Sequence, residues 1–506
     1  MTFLPVAGRE LLVASHSPWL VRLRILSTLG AAVLSGFFLL TAPLSNSGMG
    51  GAALFSTLST IGFVGVFLSG VALTSDSISS ERRAGTLGFL FLTELSGLDI
   101  LAGKLASAWI RASTILVSLL PFLALGFFMG GVTGGDMFRM VLSLINLLWF
   151  SLVFGICVST RCTKSGTAVL LTVLGLMVVN VGFPLLAGFS TRAPWPWDRA
   201  KWLNELSPTV AWWLARAPIT AGYPDPFWRT LLISHGCGWA LFLGAAFTLP
   251  RSLDSTGARR WLPSRLTSRP RRQGSSRSFD TDNPVALLCR PNRWFSLFVT
   301  LTGFVPPALL IIVAIENRSR SQSEAVAVVG VYLLTFAGLI LKVLYAWHCC
   351  EAFTGLREFG IEPILGTGLP ERSIPDGVFS AGRRVFLPAS LALGVAAVGA
   401  CLLVIVSGKE DLQIIWAMGI TLYSLLLFAL DFQTIGWMSA RSSLMKPGRM
   451  SPFSRTVLLV LGIRMFLFCV PDLLITFILF IWSRDGFLPW LRAHSQNGAG
   501  ALQASR

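Results

Sequence analysis

The stretch whose residue types and spacing most invite chemistry runs Ser80-Glu81-Arg82-Arg83-Ala84-Gly85-Thr86-Leu87, continues Phe89-Leu90-Phe91-Leu92-Thr93-Glu94-Leu95-Ser96, and closes at Asp99-Ile100-Leu101-Ala102-Gly103-Lys104. It reads as charges, a glycine break, an apolar segment too short to span a bilayer, a polar turn, and a lysine before a new apolar run. That order describes a helix at the inner membrane surface with one end available to a cytoplasmic partner. Gly97 to Lys104 has the outline of a phosphate-binding loop, but the two glycines stand one residue too far apart. Leu105 also occupies the position from which Ser or Thr must reach magnesium. No nucleotide site and no cofactor are therefore assigned to this chain.

Other candidates are weaker. His348, Cys349, Cys350 and Glu351 mix soft and hard ligands, but neighbouring cysteines point about 100° apart on a helix. One such cluster without a second ligand group makes no metal site. Ionisable residues inside apolar runs are costly and default to functional candidates. Asp431, Arg464 and Asp472 qualify by depth, whereas Arg111, Arg139, Arg229 and Lys342 lie near enough to a run's end to snorkel. Asp431 with Arg464 reads first as a buried pair tying two helices, with a substrate or gating role as the alternative.

These residues must be positioned by elements that the composition already restricts. Of 506 residues, 53% are apolar and 13% charged, where a soluble domain carries about a quarter charged, and the mean hydropathy is +0.69. Runs long enough for a core of roughly 30 Å predict an all-α polytopic membrane protein with about 11 (10–12) transmembrane helices in two repeated bundles. The runs are 25–44, 52–75, 105–132, 137–160, 165–189, 228–250, 294–316, 325–350, 385–407, 412–439 and 455–483. Residues 1–24 carry Arg9, Glu10, Arg22 and Arg24 and lack the short apolar core of a cleaved signal. The eight cysteines fall in runs or inner loops, so no disulfide framework is expected.

Placing Met1 on the cytoplasmic side puts 26 of the 41 Lys and Arg on inner segments, as retention of positive charge requires. Residues 251–293 hold ten Arg and four Pro, a composition that cannot bury a core. They read as a basic cytoplasmic linker touching anionic lipid, and no aromatic interleaving marks a nucleic-acid site. The linker separates two related halves, 1–250 and 294–506. Pro5-Val6-Ala7 with Arg9 and Trp19 parallels Pro284-Val285-Ala286 with Arg290 and Trp294. At an offset of 274 residues Arg83, Thr93, Leu95, Ile100 and Gly103 meet Arg357, Thr367, Leu369, Ile374 and Gly377.

The 80–104 series resembles the membrane subunits of ATP-binding cassette (ABC) transporters of the export-type ABC-2 permease family. There a Glu-Arg, Gly-Thr-Leu, Leu-Thr, Leu-Ser and Gly-Lys order follows the second span. Gly88 and Glu94 depart from that family's usual Glu and Pro. The resemblance implies that loop 76–104 is a coupling loop docked on a separate ATP-binding subunit through Glu81, Arg82, Arg83, Gly85, Thr86, Leu87, Thr93, Leu95, Ser96 and Lys104. Loop 351–384 implies a second such loop through Arg357, Gly360, Glu362, Thr367 and Leu369, hence two fused half-permeases, the second shorter. It also implies an outer re-entrant loop at 190–227, carrying Leu206-Ser207-Pro208. On this expectation ATP and Mg belong to the partner, the chain is not itself an enzyme, and the setting is the inner or plasma membrane with a cytoplasmic N-terminus. A second permease chain is a further partner the resemblance leaves open. A secondary transporter or a membrane-embedded enzyme is the alternative reading.

Overall fold

In lipid a backbone must satisfy its own N–H and C=O groups, and an open chain does so only as helix. In the computed structural model every regular element among the described residues is helical. The structure describes residues 4–15, 18–41, 47–92, 95–190, 202–216, 226–249, 284–316, 320–358, 373–406, 411–444, 451–462 and 472–485. They fall into two units, one within residues 1–273 and 461–469 and the other within 274–460 and 470–506.

The first unit comprises α1 (Leu4–Ser15), α2 (Pro18–Thr41), α3 (Ser47–Thr74), α4 (Ser77–Ala84), α5 (Thr86–Leu92), α6 (Gly97–Phe128) and α7 (Gly134–Arg161). These are followed by α8 (Ser165–Met177), α9 (Phe183–Ser190), α10 (Trp202–Leu206), α11 (Pro208–Leu214) and α12 (Pro226–Thr248). A π turn, Val178–Gly182, joins α8 to α9. The second unit comprises α13 (Pro284–Leu288), α14 (Arg293–Glu316), α15 (Arg320–Glu358), α16 (Ser373–Val406), α17 (Asp411–Leu444), α18 (Pro452–Val457) and α19 (Asp472–Asp485). Helix α13 lies in the stretch read as linker from the sequence, yet packs within the second unit.

Eight helical segments among the described residues are long and apolar enough to cross a bilayer. They are Gly50–Ala84, Gly97–Phe128, Gly134–Arg161, Ser165–Leu185, Pro226–Thr248, Arg293–Ile311, Leu333–Arg357 and Ser373–Leu402. The other three expected spans coincide with α2, α17 and the stretch from α18 to α19. The first and last of these contribute shorter apolar segments, Ser27–Leu40 and Ile475–Arg484.

Each unit repeats one packing order. In the first, α1 and α2 lie on α6 while α3 packs against both α6 and α7; in the second, α13 and α14 lie on α16 while α15 packs against α16 and α17. The repeated Pro-Val-Ala motif seats the leading helix of each, burying Val6 and Ala7 in one and Val285 and Ala286 in the other. Helix starts are capped locally: Ser96 with Asp99 opens α6 and Thr133 with Asp136 opens α7, each as a reciprocal capping box.

Where α3 meets α7 the contact is made by small residues. A methyl group added at Gly70 would overlap the Ser151 backbone, and one at Gly155 would overlap Thr74. Ser151 Oγ donates to the Val66 carbonyl at 3.1 Å. Apolar burial drives no association between helices in lipid, so close backbone approach and such bonds carry the contact. Gly70→Ala or Gly155→Ala should therefore each cost ~1–3 kcal/mol by overpacking and lower the thermal midpoint in detergent. Gly36→Ala, with open space around the new methyl, should leave it unchanged.

Candidate functional site

The 76–104 segment folds as an elbow. Helix α4 ends at Gly85, whose φ of 73° is a left-handed conformation open to glycine at little cost, and α5 departs from it at once. The N-terminus of α4 is held by α7, because Ser159 Oγ accepts from both Ile78 N and Ser79 N at 3.0 Å. Arg82 donates to the Thr160 carbonyl at 2.7 Å. Arg83 donates to the Thr163 carbonyl at 3.2 Å and pairs with Asp76 at 2.9 Å. Asp76 in turn accepts from Ser165 Oγ, at the start of α8, at 2.8 Å.

Lys104 is the other anchor. Its Nζ reaches Glu10 of α1 at 2.9 Å and Glu81 of α4 at 3.1 Å, with 7% of the lysine side chain and 13% of Glu81 exposed. Thr86 Oγ1 also donates to the Glu81 carboxylate, and Arg9 stands 3.8 Å from it. A cavity of about 160 Å³, lined by Pro5, Val6, Arg9, Glu10, Glu81 and Lys104, lies against this cluster.

The residues expected to meet a partner thus mostly face inward. Glu81, Arg82, Arg83, Thr86 and Lys104 are engaged within the chain, Leu87 is fully buried, Leu95 packs against the core, and Ser96 caps α6. The surface they leave is Arg83, Ala84, Gly85 and Gly88, with Leu98 beyond the turn. Thr93 lies outside the described residues. In the second unit Arg357 donates to the Ser443 carbonyl at 3.2 Å, near the end of α17 as Arg83 does just past the end of α7. Gly360, Glu362, Thr367 and Leu369 lie outside the described residues.

Of the expected Asp431–Arg464 pair the structure describes Asp431 alone. Asp431, fully buried, is bonded by Lys342 Nζ at 2.7 Å across α15 and α17, and that ammonium lies 5.1 Å from the Phe428 ring. Lys342, expected to snorkel, turns to this carboxylate instead because the pair is cheaper in low dielectric than either charge alone. Arg464 lies outside the described residues, and Asp472 opens α19. Arg139, also expected to snorkel, is buried over Phe227 and donates to the Leu214 carbonyl at 3.1 Å. It secures the short helix α11 to α7, while Arg216 stacks on Trp212 and donates to Ser59 Oγ at 2.9 Å on α3. Asn180 in the π turn accepts from Thr209 at 2.8 Å.

Sequence reasoning missed Glu10 and Lys342 as partners. The signal for Glu10 was its place beside the repeated Pro-Val-Ala motif; for Lys342 nothing local pointed to α17, 89 residues away.

No protein-family model matches the sequence, and no curated protein matches it. The fold and site define an all-α, multi-pass membrane protein whose 76–104 elbow is tied to α1 and α6 by charge and to α7 by hydrogen bonds.

Lys104→Met should cost ~1–3 kcal/mol by leaving the half-buried Glu10 and Glu81 carboxylates without their shared cation, lowering the thermal midpoint in detergent. Combining it with Glu10→Gln and Glu81→Gln should recover most of that loss; a midpoint unmoved by Lys104→Met would show that the cluster carries no load.

The thiols of Cys162 and Cys289 are also shielded. Burial pushes Cys289 up to about 11 and raises Cys162, which Arg82 and Arg161 only partly offset. Since the thiolate is the nucleophile, a maleimide at neutral pH should modify both slowly even in detergent. The rate should climb with pH, as read by mass spectrometry.

Proposed function

We propose that this chain is the membrane-spanning permease subunit of an ABC transporter of the export type. A separate cytoplasmic subunit hydrolyses ATP and docks on the 76–104 elbow. What supports the reading is the elbow itself: a short helix pair bent at Gly85, fixed to α1, α6 and α7 by charge and hydrogen bonds, and presenting Ala84, Gly85 and Gly88 outward. A docking element has to be stiff to transmit displacement and exposed to receive it. The bond from Arg357 near the end of α17 repeats the first unit's device, in keeping with two fused half-permeases. The N-terminus and both loops are cytoplasmic in this reading, in the inner or plasma membrane, and the substrate leaves by alternating access.

The test separates docking from folding. Gly88 is exposed with open space around it, so Gly88→Trp should leave the thermal midpoint unchanged while an ATPase that co-purifies with the native chain is lost. Unchanged co-purification and unchanged ATPase activity would count against the proposal. Gly88→Cys places a thiol at an exposed position of the elbow, and it should react with an impermeant maleimide only after cells are permeabilised. Reaction from outside would reverse the orientation.

A secondary transporter without an ATPase is the second reading, favoured by one observation, the Lys342–Asp431 pair deep within a helix bundle. Purification of a fully active chain with no ATPase attached would select it.

A further inference from the structure

The two units can be placed in register by their matching arginines. Arg83 donates to Thr163 O and Arg357 to Ser443 O; Ser159 and Ser439 then coincide, and both bond to the neighbouring helix. Twelve residues before each accepting carbonyl stand Ser151 in the first unit and Asp431 in the second. Ser151 bonds the Val66 backbone of α3 with no charge involved, so this packing position is sufficiently served by a hydroxyl. The second unit instead holds a carboxylate there and a lysine across from it. Since a buried ion pair adds little net stability over apolar packing, holding α15 to α17 does not require this one.

The members of the pair differ in access. Asp431 is wholly buried, whereas 19% of the Lys342 side chain is exposed, and Phe428, packed on Gly338 one turn away, lies beside the ammonium. An acidic group arriving from outside therefore meets the lysine and never the aspartate.

We propose that Lys342 is a binding residue for an amphiphilic anion, an alkyl chain ending in a phosphate, sulfate or carboxylate, and that Asp431 holds the ammonium in its absence. This rests on the transport reading and names its substrate class. When the anion binds, its oxygens take over the ammonium hydrogen bonds that Asp431 accepts in the free chain, while Phe428 keeps its ring against the cation. No covalent bond changes.

The probe is dodecyl phosphate, with dodecyltrimethylammonium as the cationic control, titrated against the purified full chain in phosphatidylcholine nanodiscs. A ligand that binds the folded state raises its thermal midpoint. The phosphate should raise it and the ammonium should not. Lys342→Arg should keep the effect. The double variant Lys342→Gln with Asp431→Asn removes both charges of this pair together, and it should weaken binding on the order of ten- to a hundred-fold, the scale of a hydrogen bond to a charged group. Asp431→Asn alone, where it folds, should bind more tightly than the native chain because the competitor is gone. No shift in the native chain, or an equal shift in native and double-neutral chains, would overturn the proposal. The assay needs no ATPase, so a failure of docking on the elbow leaves it standing, and its own failure leaves docking untouched.

Discussion

A lysine ammonium taken out of water must be given partners, and most of the arrangement around the first unit's elbow follows from how Lys104 finds them. Its two carboxylates come from Glu10, 94 residues away, and Glu81, 23 residues away. Bringing both to one point fixes α1 along α6 and sets the direction of α4. Thr86 then adds its hydroxyl to Glu81 from the far side of the glycine elbow, so that α5 starts from a defined place. Each of these contacts would be weak at an exposed surface, where ion pairs contribute about 0–1 kcal/mol. At 7% exposure for the lysine the cost of leaving any one member unpaired is what holds the set together.

The remainder of each bundle relies on short-range fit. Ser439 and Ser443 donate to the carbonyls of Ala346 and Cys350 one turn apart, at 3.4 Å each, while Gly70 and Gly155 in the first unit let α3 and α7 approach by backbone. Both solutions put small residues four apart on the facing stripe, the spacing that keeps one face of a helix in register with its neighbour. Some large apolar side chains, such as Leu54 and Phe386, are fully buried, while others point outward. Leu29, Val33 and Phe37 on α2, and Leu391, Val395 and Leu402 on α16, are all exposed, as suits surfaces whose solvent is lipid.

How much of this was legible in the sequence depends on whether the cause was local. Helix formation, the break at Gly85 and the stop before α6 all follow from residues within a few turns of one another. The roles of the charged residues do not. Judging each charge by its distance from the end of an apolar run treats Arg139 and Lys342 as able to reach water, but Arg139 is answered by a carbonyl of α11 and Lys342 by Asp431 on α17. Those partners are set by which helices pack together, and that is information a single run does not contain. The motif at 80–104 was legible as a unit for a related reason. Its order marks a bend at the membrane surface, while the distinction between Leu87 facing the core and Gly88 facing out appears only when α5 has a neighbour.

An elbow tied on both sides behaves differently from a loop. Beyond Gly85, Thr86 is bonded back to Glu81; before it, Arg82 and Arg83 are bonded to the end of α7 and Glu81 to Lys104 in α6. The glycine is therefore flanked by constraints and is poorly placed to act as a free hinge, so a force on the outward surface at Ala84 or Gly88 has few soft degrees of freedom to absorb it. It passes to α6 and α7 through charge-assisted bonds, which are shorter and stiffer than neutral ones. Helix α6 runs 32 residues from Gly97 to Phe128, with Pro121 in its last third, about 48 Å at 1.5 Å per residue, so a displacement at Lys104 is carried along one continuous helix as far as that proline, which removes a backbone hydrogen bond. That continuity, more than any single contact on the exposed surface, is what would let the elbow act on distant parts of the bundle.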